Sequence, residues 1–513
     1  MRREGCTRSK TDYRPMNFND YDAVIIGTGF GGSACAYVLA AAGMKVLLLE
    51  RGDWARRDAK DWDPRSVLVE KRYQGPSPLR VRQYEDRDFS HVVENEVVGG
   101  MSVFYGGASL RLREEDLVAW PILYGDLAQH YDCVERLLEV HGEVGVDPCE
   151  PPRTDDYLYP PIELARPAQR IWDAGCTLGY RPFRMPLAIN FSDRARTVCI
   201  RCLTCDGFPC QIEAKNDLTM TLLKLAQDAG AEILTGVQVA RVICKQGRVR
   251  AVACVDRRTK KAFDVPASVA VVAAGALQSP AILLRSELHS LPQGDLIGRF
   301  LMRHCNAVVA GVFPFRTNPE QVFHKQVCFS DFYGDFRGQD GRAVGVIQDI
   351  YTPSPIALKH HAPFGLKNLT AIAAGFLQNL LCVAEDEPQF ENRVVLADEK
   401  DVYGISRAQV IHQYTARDCE RRDYLVEKAK DILRASGALF FHTYRIDTFS
   451  HGVGSVRMGD DEETSVLDEN CRFRGIDNLF VTDGSVFPTS GGVNPSLTIA
   501  ANALRVGNYI IRN

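Results

Sequence analysis

No apolar run in this 513-residue chain comes near the roughly 20 residues needed to cross a bilayer as a helix. Excess charge of either sign is equally scarce. Sixty-one Lys and Arg stand against 65 Asp and Glu, a net of −4, so no electrostatic footprint for nucleic acid or an anionic membrane surface is present. Cysteine is thin as well. Sixteen in 513, mostly scattered, exclude a disulfide-built secreted domain. The N-terminal stretch MRREGCTRSKTDYRPMNFND has no apolar segment, so neither a signal peptide nor a twin-arginine export signal is expected there. A cytoplasmic protein with free thiols is the resulting expectation. Internal repeats and low-complexity tracts are also missing. What remains is an ordinary globular composition, long enough for about three domains by size alone.

A polar tail (1–17) gives way abruptly to YDAVIIGTGFGGSACAYVLAAAGMKVLLLERG, residues 21–52. Asp22 to Ile26 reads as a buried strand, Ser33 to Ala42 as an Ala-rich helix stopped at Gly43, and Lys45 to Glu50 as a second strand. Together they form a βαβ unit opening a parallel sheet. Strands are expected again at Ala231–Thr235 and Ser268–Ala274, with a helix at Ala276–Arg285. A last strand falls at Leu479–Thr482 and a last helix at Leu497–Ile511. The nucleotide-binding pieces are thus spread along the whole chain, and the inserts at 116–195 and 306–445 read as material for a second domain.

Between the first strand and helix lies Gly27-x-Gly29-x-x-Gly32, with Phe30 and Gly31 inside it and Glu50 ending the next strand. Glycines here allow a tight turn and let a pyrophosphate approach the positive helix N-terminus, while the carboxylate can accept from ribose hydroxyls. Dinucleotide binding follows, without a choice between FAD and NAD. The second motif, Val97-Val-Gly-Gly-Met-Ser-Val-Phe-Tyr-Gly-Gly-Ala-Ser109, offers backbone where a flat ligand would leave no room for side chains. A third block runs from SHGVGSVRMG at Ser450 through VTDGSVFPTSGGVNPSLTIAA. Asp483-Gly484 ends a strand there, and Asn494-Pro495 leads into a helix, the setting in which α/β sheets bind ligands. Alone, His451 could be a core histidine and Asn494 a helix cap.

Taken together these blocks resemble the glucose–methanol–choline (GMC) family of FAD-dependent oxidoreductases, most specifically in HGVGSVRMG and VTDGSVFPTSGGVNPSLTIAA. Val271-Val-Ala-Ala-Gly-Ala-Leu-Gln-Ser-Pro280 and Ile297-Gly-Arg-Phe-Leu-Met-Arg-His304 are similar too. VGGMS resembles the pyranose oxidase branch; YGGAS and VNP also resemble cholesterol oxidases. The resemblance implies an α/β fold, with a discontinuous Rossmann-type FAD-binding domain (18–115, 196–305 and 446–513). A substrate domain (116–195 and 306–445) would interleave with it, built on a mainly antiparallel sheet flanked by helices.

By the same resemblance Gly27, Gly29, Phe30, Gly31 and Gly32 would hold the FAD pyrophosphate region and Glu50 the adenosine ribose. Gly99, Gly100, Ser102, Gly106 and Gly107 would line the flavin and its ribityl chain. Ala274, Gly275, Asp483 and Gly484 would border the cofactor, and the Asn494–Pro495 backbone would meet the pyrimidine end of the ring. His451 would be the catalytic base and Asn494 its partner. The linking histidine of pyranose oxidases falls at Phe104, so FAD is expected to be non-covalent. Tyr105 departs from the family's frequent Asn.

The implied reaction is oxidation of a small-molecule alcohol to a carbonyl, with oxygen, a quinone or a carrier as electron acceptor. The pyranose oxidase similarity favours a sugar, an aminosugar of a biosynthetic pathway or an aminoglycoside. The cholesterol oxidase similarity leaves a sterol open. A non-redox lyase of the hydroxynitrile lyase type and an electron-transfer protein are the alternatives from other classes.

The last of these rests on Cys199-x2-Cys202-x2-Cys205-x4-Cys210, a spacing open to structural thiols or a local disulfide, to a metal, or to a redox dithiol. Because the proposed chemistry needs no metal, none is expected. Two further expectations are plain: His360-His361 in a solvated loop, and Arg417 to Arg422 on a solvated helix face.

Overall fold

The computed structural model describes residues 18, 21–84, 88–361, 365 and 367–513; the polar tail expected over 1–17 lies outside them. The nucleotide-binding sheet has five parallel strands: β1 (Ala23–Ile26), β2 (Val46–Leu49), β3 (Glu232–Leu234), β4 (Val269–Val272) and β5 (Leu479–Val481), in the order β5-β4-β1-β2-β3. Every residue of β1, β2 and β5 is buried, as expected of a parallel sheet covered on both faces. In register, Ile26 sits beside Val272 and Leu49, which aligns the C-terminal ends of the central strands.

Helix α1 (Phe30–Ala41) begins three residues before the expected start, so Gly31 and Gly32 lie inside its first turn. The chain's last helix, α2 (Ser496–Arg512), packs on α1 so tightly that a Cβ on Gly507 would lie 3.1 Å from the Cβ of Val38.

A second, antiparallel sheet faces this layer. Its six strands run in the order Phe440–Arg445, Ala307–Val312, Leu377–Ala384, Gly345–Ile350, Val327–Phe329 and Phe183–Arg184. Alternation along the strands divides its side chains. Val309, Phe329, Ile347 and Leu380 pack with Ile171, Leu425 and Ile432 of the helices Arg166–Thr177 and Ala416–Ala435. On the other face Cys328, Val346 and Leu381 join the core of the nucleotide layer. Gln348, in register between Val346 and Ile350, belongs to this second face. A four-stranded sheet then joins Arg393–Lys400 and Ser406–Ile411 to Leu79–Arg82 and Ser90–Val92, tying the later insert to the first block of the chain.

Two expectations fail locally. Arg421 and Arg422 are buried instead of solvated, because Arg421 faces Asp418 and Glu387, and Arg422 reaches Asp423 and the Cys305 sulfur. The 360–361 pair ends a short helix, Pro355–His361, not a loop. No helix among the described residues is long and apolar enough to cross a membrane.

Candidate active site

The two glycine motifs meet in front of α1. Gly27 has φ +101°, and a Cβ there would lie 2.4 Å from the Ala273 carbonyl oxygen. A Cβ on Gly31 would lie 2.2 Å from the Thr482 carbonyl oxygen, and one on Gly32 2.1 Å from that of Gly27. These glycines let the helix press onto the ends of β1, β4 and β5. Gly29 differs, because a Cβ there would meet nothing within 4 Å. It is also the N-cap of α1 and has no side-chain cap, which leaves the first-turn N–H groups to a ligand.

From the second motif Gly100 comes up to this position, its would-be Cβ 3.3 Å from the Gly29 Cα. Thr28 ties the parts together: its hydroxyl donates to Glu50 Oε2 (2.6 Å) and accepts from the Gly99 N–H (2.9 Å). Glu50 is buried and its other oxygen accepts from the Gly52 N–H (2.8 Å). Its carboxylate is therefore held in one orientation at the end of β2. Ser102 is fully buried and braces the glycine run, donating to the Gly99 carbonyl (2.7 Å) and accepting from the Leu218 N–H (3.1 Å). The bare helix N-terminus, the glycine cradle and the fixed acid suit the pyrophosphate and ribose of FAD.

At the end of β5, Asp483 collects the β4 side of the site. One of its oxygens accepts from the Gly275 N–H (2.8 Å) and the Ser279 hydroxyl; the other accepts from the Ser485 N–H (2.8 Å). Burial pushes this carboxyl up, and the hydrogen bonds from Ser279, Ser485 and Gly275 oppose that shift. Gly484 accepts at its carbonyl from the Gly454 N–H (3.0 Å), which docks the HGVG segment on the strand end beside Ala276.

That segment also pairs with the chain before the antiparallel sheet. Met302 and Val453 exchange backbone hydrogen bonds of 2.9 Å in each direction. Two residues along each chain, in antiparallel register, stand His304 and His451. Their Nδ1 atoms are 2.9 Å apart and their rings perpendicular. His304 adopts φ +60°, a conformation unusual for a non-glycine residue. It is held there by Asp386, which accepts from the N–H groups of Arg303 (2.8 Å) and His304 (3.1 Å). Tyr414 adds a hydrogen bond from its hydroxyl to the His304 carbonyl (2.7 Å).

The partners along this chain fix the proton positions. His304 Nε2 lies 3.1 Å from the Ser490 carbonyl oxygen, which can only accept, so Nε2 carries the proton. Burial pushes the imidazoles of both His304 and His451 down, keeping both neutral near pH 7. His304 Nδ1 is then the acceptor and His451 Nδ1–H the donor, which leaves His451 Nε2 unprotonated. Asn494 Nδ2 stands 3.4 Å from that nitrogen, a long contact, and Asn494 Oδ1 accepts from Gln348 Nε2 (2.7 Å). Asn494 is thus engaged sideways, toward His451 and Gln348, and caps no helix; the N-cap of α2 is Pro495, without a side-chain cap. His304 and Gln348 carry no motif that would have marked them, since their roles arise from register between distant segments.

The cysteine run forms a loop against the second glycine motif. Buried Lys215 donates from Nζ to the carbonyls of Val103 (3.0 Å), Cys205 (2.8 Å) and Phe208 (2.8 Å), clamping the loop to the glycine run. Cys199, Cys202, Cys205 and Cys210 are free thiols, so the local disulfide is not present. Burial pushes Cys199 up to about 11 and Cys205 higher still, which makes both poor nucleophiles. Among the described residues no group of three or more His, Cys, Asp or Glu is placed to hold a metal ion. At the loop's tip Asp206 pairs with buried Lys325 (2.8 Å), and a Cβ on Gly106 would lie 2.9 Å from each side chain.

Comparison with known proteins agrees with this architecture. GMC oxidoreductase models match residues 21–306 and 388–503. The chain is 31% identical to 6'''-hydroxyparomomycin C oxidase of Streptomyces lividus, over 96% of its own length and 91% of the relative's. It is 31% identical to paromamine 6'-oxidase of Streptomyces fradiae (94% and 90%) and 28% identical to 2-methyl-1,2-propanediol dehydrogenase of Mycolicibacterium austroafricanum (96% and 95%). Among solved structures, pyridoxine 4-oxidase from Mesorbium loti superposes with a TM-score of 0.68 at 20% identity, covering 96% of this chain and 99% of that one. With family models covering well over half its length and relatives matched nearly end to end, the chain belongs to the GMC oxidoreductases, and it is an FAD-dependent enzyme acting on alcohols.

Proposed function

We propose that this enzyme oxidises a hydroxyl group of a sugar-like alcohol, an aminosugar or glycoside, to the carbonyl, with His451 as the base. The observation that carries the reading is the polarised chain Gln348–Asn494–His451–His304–Ser490, which leaves a neutral imidazole whose Nε2 is unprotonated and met only by the long contact from Asn494. His451 Nε2 takes the hydroxyl proton, and the Asn494 amide N–H holds the substrate oxygen. FAD, when bound, supplies the redox chemistry by accepting the hydride of the carbinol carbon. Its pyrophosphate would sit at Gly29 and the α1 N-terminus, its ribose at Glu50, and its ring along Gly99–Gly107 and the Asn494–Pro495 backbone. We assign this work to residues 18–115, 196–305 and 446–513, and substrate binding to 116–195 and 306–445. The names of the two relatives at 31% identity support the substrate class.

The test is anaerobic bleaching of the bound flavin by a panel of aminoglycosides, simple glycosides and sterols. Bleaching by the first two groups is expected. No bleaching by any alcohol would favour a non-redox lyase, and bleaching by sterols alone would refute the substrate class.

Two further outcomes are expected. FAD should be released intact by acid precipitation, because Phe104 is buried against Tyr73 (ring centroids 5.8 Å) and has no nucleophile to bond the flavin. A yellow pellet would contradict this. Replacing His304 with leucine should slow flavin reduction about 10- to 10³-fold at full FAD occupancy. The variant frees the His451 tautomer, and loss of the correct tautomer costs about 10⁴ in a protease triad. An unchanged reduction rate would refute the proton assignment.

A further inference from the structure

We propose that Gln348 selects the substrate. Its amide anchors Asn494 through one end, and through the other it accepts a hydrogen bond from a second donor that the substrate carries close to the reacting carbinol. This rests on the alcohol-oxidation reading above and narrows it to polyols, amino alcohols and glycosides.

The argument starts from polarity. The Ser490 carbonyl sets His304, His304 sets His451, and the lone pair of His451 Nε2 turns the N–H side of Asn494 toward it. Asn494 Oδ1 must then face Gln348, and the group that donates to it is Gln348 Nε2 (2.7 Å). The amide orientation of Gln348 is thereby fixed by its neighbours. Its carbonyl oxygen is left over, buried and without a hydrogen-bond partner, on a side chain that is 0% exposed. Such an acceptor is costly to bury unpaired, so a partner brought by the substrate is rewarded in binding.

Place in the fold points the same way. Gln348 is on the face of the antiparallel sheet that turns to the nucleotide layer, where leucine or valine is the ordinary occupant. The Lys325–Asp206 pair borders Gly106 of the second glycine motif, and the Lys325 charge helps push the His451 imidazole down. A wall with an amide and an ion pair suits a ring bearing hydroxyls or amines, and opposes a fatty chain or a sterol, which would leave these groups unsatisfied.

Two matched pairs test this on the FAD-replete enzyme by anaerobic flavin reduction. One is methyl α-glucopyranoside against its 4-deoxy analogue; the other is 2-methyl-1,2-propanediol against 2-methylpropan-1-ol. The wild type should favour the donor-bearing member of at least one pair by about tenfold or more in kred/Kd, since lost pairing to a buried polar group is worth that much. Gln348→Met should bring the ratio close to one. Gln348→Glu keeps an acceptor but cannot donate to Asn494 as a carboxylate, so it should retain the preference while lowering the limiting rate on both members. Bleaching by both members of each pair with an unchanged ratio in Gln348→Met would overturn the inference and leave the alcohol-oxidase reading standing. If no alcohol bleaches the flavin of the wild type, that reading fails, and the inference with it.

Discussion

Replacement of His451 by alanine is expected to slow anaerobic flavin reduction by about 10²- to 10⁴-fold, the range for loss of a general acid–base group, with FAD content unchanged. The partners of the side chain are His304 Nδ1 (2.9 Å) and Asn494 Nδ2 (3.4 Å), so its removal should cost chemistry and spare cofactor binding. Asn494→Ala should cost less, since it removes a hydrogen bond and leaves the proton acceptor.

The pH profile of the wild type carries the same information. Burial, the neighbouring His304 and the Lys325 charge push the His451 imidazole well below 6.5, while Asp386 pulls the other way. The neutral, proton-accepting form is therefore complete at and above pH 6.5. Flavin reduction should be flat there and fall only at more acid pH, as the imidazole takes up a proton. An FAD-replete His451→Ala enzyme reduced at the wild-type rate, or a wild-type rate that climbs steeply between pH 7 and 9, would place the base elsewhere.

Gly32→Ala is expected to lose both cofactor and stability. The added methyl would stand 2.1 Å from the Gly27 carbonyl oxygen, which is backbone and cannot rotate aside. Either α1 lifts from the strand ends or the Gly27 turn opens. Overpacking of this kind costs about 1–3 kcal/mol, and each 1.4 kcal/mol is about tenfold in affinity. If that cost falls on the FAD-bound form, FAD should bind about 5- to 150-fold more weakly, and the melting temperature of the apoprotein should fall. Gly29→Ala is the informative contrast. Its methyl would meet no protein atom within 4 Å, so the apoprotein should melt as wild type while FAD binding weakens, because the methyl would enter open space at the α1 N-cap, where the pyrophosphate is proposed to sit. Equal melting temperatures for apo Gly32→Ala and wild type would show that the turn yields without strain. Undiminished FAD affinity in Gly29→Ala would move the pyrophosphate away from α1.

Local patterns made the nucleotide layer legible. A strand buried on both faces, a Gly-x-Gly-x-x-Gly turn and an alanine-rich helix are neighbours in sequence, and their geometry follows from steric rules acting over a few residues. The strand pieces near 232, 269 and 479 were readable for the same reason, each a short apolar run bounded by turn residues. His451 and Asn494 could be singled out because each lies within a long family-specific stretch.

Only the tertiary structure decided what those two residues face. His304 meets His451 because Met302 pairs with Val453 across 151 positions of chain. Gln348 meets Asn494 because one face of the antiparallel sheet turns toward the nucleotide layer. The same holds for Arg421, whose sequence neighbours suggest a solvated helix but which is buried and faces Glu387 from another segment. Periodicity records which residues share a side of one element. It carries no information about the partner element, so the direction of each hydrogen bond along the His304–His451–Asn494–Gln348 chain, and with it the unprotonated Nε2 of His451, exists only after the sheets have packed.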